Sequence, residues 1–155
     1  SAASDVYKRQ RQINSDLATL LENNNHLESL IIIGHSFGGL IVTLFSESWE
    51  STFPINAHAI ASGLAKSKFD RKYLNCENPK KPKYDISKYV EYKQWRTIKD
   101  QDGIFKRLNN DPQVVTFING KTTLLPKRWK STRVGHNFSI LVVSDIILSD
   151  LQKNK

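Results

Sequence analysis
The 155-residue chain carries a net charge of +8 and 39% hydrophobic residues, enough apolar material for one modest core. Its single cysteine, Cys76, excludes an internal disulfide framework and a cysteine-based metal site, and no stretch reaches the roughly 20 apolar residues of a membrane-spanning helix. The basic balance favours anionic partners or substrates and says nothing about the fold.

Residues 1–10, SAASDVYKRQ, lack the apolar centre of a secretory signal and fit poorly with the rest of the chain, so they are expected to be a non-native or disordered leader. The folded unit is expected over 11–155. Asn14-Ser15-Asp16 offers a helix start, and Leu17, Leu20 and Leu21 recur at helical spacing before Asn23-Asn24-Asn25. Leu27 to Ile33 is a β-branched run suited to a strand buried on both faces. Gly38 to Trp49 is apolar almost all round and predicts a well-buried helix. After Pro54, Ile55 to Ala61 predicts a second strand. The segment at about 64–88 is lysine-rich, contains Pro79 and Pro82, has no long apolar run, and reads as a loop or lid. Tyr89 to Ile98 predicts a third strand, Ile104 to Leu108 a short helix or turn, and Gln113 to Asn119 a fourth strand closed by Gly120. A last helix is expected from Phe138 to about Leu151. Strands alternating with helices predict an α/β fold with a mostly parallel sheet flanked by helices.

The stretch from Leu30 to Leu40 reads LIIIGHSFGGL, an aliphatic run broken by a glycine-rich turn and followed by an apolar helix. Such a turn suits an attacking serine. A serine hydroxyl is a weak nucleophile unless a base takes its proton and the developing oxyanion is stabilised. A sharp strand-to-helix turn lifts Ser36 above the sheet and aims the backbone N–H of Phe37 at the oxyanion, at the positive end of the helix dipole. The turn is tight, so Gly34 and Gly38 are expected to be there for their small size, and Gly39 to let the helix approach the sheet. The bland alternative is an ordinary glycine-rich turn.

The pattern Gly34-His35-Ser36-Phe37-Gly38 resembles the nucleophile elbow of the α/β-hydrolase superfamily, especially its lipases and esterases. The resemblance spans Arg11 to Leu151 as an order of elements. It implies a partial α/β-hydrolase fold that lacks the strands ahead of the elbow strand, with the second oxyanion donor among the missing parts. It places the catalytic base after the last strand, at His136. His26 is expected at a solvated helix end, His58 as a satisfied core histidine, and His35 as a packing residue pointing away from Ser36. The acid should follow the third strand, in Lys99-Asp100-Gln101-Asp102-Gly103-Ile104. Asp102, before Gly-Ile, resembles the family's acid; Asp100 is the alternative and Asp111 the outsider.

The resemblance implies a serine hydrolase of carboxylic esters acting through an acyl-enzyme on Ser36, with no cofactor and no metal. Small-molecule or lipid esters are the implied substrates, with thioester hydrolysis or acyl transfer as the neighbouring chemistry. The alternative is a hydrolase-like binding or structural domain without catalysis. Lys66, Lys68, Arg71, Lys72, Lys80, Lys81, Lys83 and Lys88 crowd the lid-like stretch. They read as a solvated loop or as a contact to an anionic surface. Nucleic acid is disfavoured because no recognition motif accompanies the charge. With no secretory signal in view, location stays open and leans to the cytoplasm.

Overall fold
The computed structural model describes residues 2–68, 70 and 79–153. Helix α1, Ala2–Asn23, runs unbroken through Asn14-Ser15-Asp16, so those residues start nothing. Val6, Ile13, Leu17 and Leu21 lie at helical spacing and join the main core, which fixes the helix by its apolar stripe. The expected disordered leader is therefore ordered helix. Val6 is 2% exposed, and Gln10 Nε2 donates to the Leu44 carbonyl at 3.2 Å and to Ser48 Oγ at 2.6 Å.

Strand β1 (Leu30–His35), helix α2 (Phe37–Ser48), β2 (Ile55–Ile60), β3 (Lys83–Asp85), β4 (Val90–Arg96), β5 (Thr116–Ile118), β6 (Gly120–Leu124), β7 (Arg128–Trp129), β8 (Thr132–Arg133) and helix α3 (Ser139–Lys153) come next in the chain. The main sheet has the order β1-β2-β4-β6, and every pairing in it is parallel. The fold is thus α/β with a parallel central sheet and helices on its faces, as alternation predicts. On one face α1 and α2 cover Ile55, Ala57, Ala59, Val90 and Tyr92. On the other, Val142 and Val143 of α3 pack against Ile60, Trp95, Leu125 and Val134. Helix α2 is buried at eight consecutive positions, Gly39 to Ser46, which accounts for its apolar character on all sides.

The fourth strand of the sheet is not Gln113–Asn119. Thr116–Ile118 pairs with β3 in a separate two-stranded parallel sheet, and the strand beside β4 is β6, beyond Asn119. Asn119, at φ 58°, turns the chain between the two. Gly120 opens β6 because a Cβ there would lie 2.9 Å from Phe117 Cβ. The glycine marks a close approach at a strand start, not a strand end.

The expected lid is also not a free excursion in its described part. Leu64 and Tyr84 are 0% exposed and Ile86 is 1% exposed. Tyr84 donates its hydroxyl to the Leu64 carbonyl at 2.8 Å. Lys80 pairs with Asp70 at 2.6 Å and Lys81 with Glu47 at 2.8 Å, so part of the lysine charge is neutralised locally. Lys66, Lys68, Lys83 and Lys88 are exposed. Phe69, Arg71, Lys72, Tyr73 and Cys76 lie outside the described residues. Strand β1 is an edge strand of the sheet, and its Ile31 and Ile33 remain 37% and 43% exposed. No helix among the described residues is long and apolar enough to cross a membrane.

Candidate active site
Ser36 occupies the junction of β1 and α2. Its N–H donates to the Ile60 carbonyl at 2.8 Å, so β1–β2 pairing continues up to the point where the chain turns. The turn then forces φ 55°, ψ −118° on Ser36, a region that costs a non-glycine residue about 1–3 kcal/mol. Ser36 does not use its side chain to cap α2. The Phe37 N–H is the first amide of α2, where no preceding turn supplies an acceptor and the helix dipole is positive.

The glycines of the turn divide differently from expectation. At Gly34 a Cβ would meet the Gly38 carbonyl oxygen at 2.3 Å and Val42 Cγ2 at 2.7 Å, a clash with backbone that cannot be relieved by a rotamer change. At Gly39 a Cβ would meet Ser62 Oγ at 1.7 Å. At Gly38 a Cβ would meet nothing within 4 Å. The close approach runs between Gly34 and the backbone of Gly38, so the missing side chain that matters there is that of Gly34.

Asp102 follows β4 after Thr97 and a single turn of 3₁₀ helix, Lys99–Gln101. It is fully buried, and its carboxylate is saturated with donors. Oδ2 accepts from Thr97 Oγ1 at 2.6 Å and faces His136 Nδ1 at 3.0 Å. Oδ1 accepts from the Ile104 and Phe105 N–H groups at 2.8 and 3.2 Å. Burial alone pushes the carboxyl up, but the hydrogen bonds from His136 and Thr97 outweigh it and hold Asp102 below the ordinary aspartate value. An ionised Asp102 can only accept, so Nδ1 of His136 carries the hydrogen and the lone pair of neutral His136 lies on Nε2.

His136 is 8% exposed, with its ring edge-on to that of Phe105 at 5.4 Å between centroids. It sits on the turn between β8 and α3. Its carbonyl accepts from Ser139 Oγ at 2.5 Å and from His35 Nε2 at 2.9 Å. The His35 and His136 rings are 4.9 Å apart. His35 is therefore no mere packing residue. It links the elbow strand to the turn that bears His136.

The structure thus joins Asp102 to His136 and sets the His136 turn against the residue beside Ser36. No hydrogen bond connects Ser36 with His136 among the described residues; the ring nitrogen bond of His136 is the one to Asp102. Asp100 is excluded as the partner: its side chain is 87% exposed and lies 3.5 Å from Lys99 Nζ. The 3₁₀ turn separates the directions of Asp100 and Asp102, whereas an extended backbone would have aligned them. Asp111 is engaged by Arg96 at 3.0 Å. His26 is exposed, and His58 is half-buried and accepts from Trp95 Nε1 at 3.0 Å.

Two supports carried no sequence signal. Thr97 reaches Asp102 from the end of β4. Buried Gln113 holds Thr97 on both sides, accepting from its N–H at 2.9 Å and donating to its carbonyl at 3.0 Å. Among the described residues no group of three or more His, Cys, Asp or Glu side chains is arranged to hold a metal ion. No protein-family model, curated protein or solved structure matches this chain.

Proposed function
We propose that this chain is the C-terminal part of an α/β-hydrolase-type domain and that it hydrolyses carboxylic esters through an acyl-enzyme on Ser36. The observation that carries this reading is the buried Asp102–His136 pair at 3.0 Å, at the carboxyl ends of the same parallel sheet whose β1 ends in the strained Ser36. Structural ion pairs are common, but this one pairs a buried carboxylate with a histidine at the carboxyl ends of the strands, where α/β folds place ligands.

In this mechanism the Ser36 Oγ–H proton passes to His136 Nε2 as Oγ attacks the ester carbonyl. The oxyanion lies against the Phe37 N–H. Collapse breaks the bond to the leaving alkoxy oxygen, which takes the proton back from His136 Nε2 and departs as the alcohol. Water then repeats the sequence on the acyl-enzyme, with His136 as base, and releases the acid and Ser36. Asp102 keeps the proton on Nδ1 and stabilises the imidazolium. The open edge of β1 is where this reading places further strands and the second oxyanion donor.

Thioesters and acyl transfer use the same groups. A non-catalytic domain is the second reading, favoured by the missing Ser36–His136 hydrogen bond. A fluorophosphonate probe separates the two, because it labels only an activated serine. Labelling that disappears in Ser36→Ala and in His136→Ala supports catalysis; an unlabelled, folded wild-type chain refutes it.

A further inference from the structure
The base-bearing turn is flanked by Val134 and Phe138, which pack in the cluster of Ile60 and Ala61, but among the described residues its polar link to the elbow strand is a single bond. Residues 135–138 lie between β8 and α3 and belong to no strand of the main sheet. Within the turn, the Ser139 N–H donates to the Gly135 carbonyl at 3.0 Å and Ser139 Oγ to the His136 carbonyl at 2.5 Å. The His136 ring is tied sideways to Asp102, after β4. Among the described residues, the hydrogen bond that reaches from this turn to β1 is the one from His35 Nε2 to the His136 carbonyl, 2.9 Å. His35 precedes Ser36 directly in the chain.

A carbonyl oxygen accepts and never donates, so Nε2 of His35 must carry a hydrogen. His35 is then fixed as a donor at Nε2. Its ring also lies beside that of His136, 4.9 Å between centroids at an interplanar angle of 57°.

We infer that His35 is a positioning residue: its Nε2–H, anchored beside the nucleophile, sets the distance between the His136 turn and Ser36. The inference rests on the serine-hydrolase reading for its kinetic consequence, but the tether itself is a statement about one hydrogen bond. His35 touches no reacting atom. It acts by holding the backbone of the base while Asp102 holds the ring. An error of about 1 Å in the placement of a catalytic group lowers rate by about 10²-fold without weakening substrate binding. The loss therefore falls on kcat and not on KM.

Three variants separate tethering from packing. His35→Leu fills the space and removes the donor. His35→Gln returns an N–H close to the position of Nε2. His35→Asn places its amide nearer Nδ1 and too short to reach. Hydrolysis of a p-nitrophenyl ester and the rate of fluorophosphonate labelling are measured for each, after circular dichroism shows that it folds. The Leu and Asn variants are expected to lose about 10- to 100-fold in kcat with KM changed by less than about twofold, and Gln to recover most of the loss. Equal kcat for Leu and Gln overturns the tether.

Imidazole ¹⁵N spectra give a readout independent of turnover. They are expected to find the His35 hydrogen on Nε2, and the His136 Nδ1 signal displaced in the Leu variant and restored in the Gln variant. A His35 whose Nε2 carries no hydrogen overturns the proposal. If the wild-type chain neither labels nor turns over, the hydrolase reading fails, and these spectra still decide whether His35 holds the turn. A Leu variant that fails to fold leaves the Gln and Asn pair to make the same discrimination.

Discussion
Asp102 and Asp100 stand two positions apart, yet one is fully buried with four donors and the other has a side chain 87% exposed. Their substitutions should differ accordingly. Asp102→Asn keeps the shape but reverses the hydrogen-bond preference at His136 Nδ1, so the imidazole takes the wrong tautomer. We expect kcat to fall by about 10⁴, the size found when the acid of a Ser-His-Asp protease is changed in this way. Asp100→Asn should leave kcat within a few-fold. Steady-state ester hydrolysis by the two variants checks this, and a swap would move the acid to Asp100.

His58 gives a second expectation at the same scale. Burial, and then Lys93 beside it, lower its pKa below the ordinary 6.5, with Glu91 opposing. The Trp95 Nε1–H also needs Nδ1 of His58 unprotonated. The unfolded chain thus binds this proton more readily than the folded one. Stability from His58 is complete above 6.5 and falls as pH drops below it, towards the folded value. His58→Asn presents an acceptor near the position of Nδ1 and does not titrate. Denaturant melts between pH 7 and 5 should show a shallower loss for this variant than for the wild-type chain.

At the scale of elements, the elbow is a strand and a helix forced together at Gly34. Gly34→Ala would drive a methyl into the Gly38 backbone, where no side chain can move aside. We expect a loss of at least about 1–3 kcal/mol, and loss of probe labelling as the turn shifts. Gly38 has an ordinary helical backbone and open space at its Cβ position. Gly38→Ala should stabilise by about 0.5–1 kcal/mol through lost freedom of the unfolded chain. Urea melts of the two variants give the signs. Equal destabilisation would mean that the close approach involves both glycines.

At the scale of the whole molecule, β1 stands at an edge of the sheet among the described residues. A parallel sheet is normally covered on both faces, yet Ile31 and Ile33 on edge strand β1 remain well exposed, and Leu141 and Leu148 on α3 are 59% and 58% exposed. Edge strands of this kind recruit other strands. We expect the chain to elute in size-exclusion chromatography at a volume that decreases with concentration. Ile33→Lys should reduce that dependence while leaving the thermal midpoint within a few degrees, since a side chain already exposed contributes little to the core. A concentration-independent monomer would show that the edge is protected.

The elements most legible in the sequence were those whose pattern is local. The all-round apolar α2 and the tight turn before it follow from burial and steric need within a few residues, whereas β1, expected to be buried on both faces, is an edge strand with Ile31 and Ile33 exposed. Asp102 and His136 were candidates because the resemblance to the hydrolase order of elements points to them, and the structure brings their side chains to 3.0 Å. The rest depended on contacts between distant segments. Residues 2–10 became helix because Val6 found a core formed by α2 and the sheet. The strand beside β4 became Gly120–Leu124, polar though it is, because Phe117 is drawn instead to Tyr84 and Tyr92, leaving 116–118 beside β3. His35 acquired its role by reaching a group across the fold: 101 residues separate it from the carbonyl it holds, and 34 separate Asp102 from His136. The sequence by itself determined the alternation of strands and helices, the burial of α2 and the tight turn at Gly34, since those are set by side-chain size and period. The tertiary structure alone decided which polar groups meet, because a hydrogen bond of about 3 Å is fixed by the packing of whole elements and not by the residues that flank it.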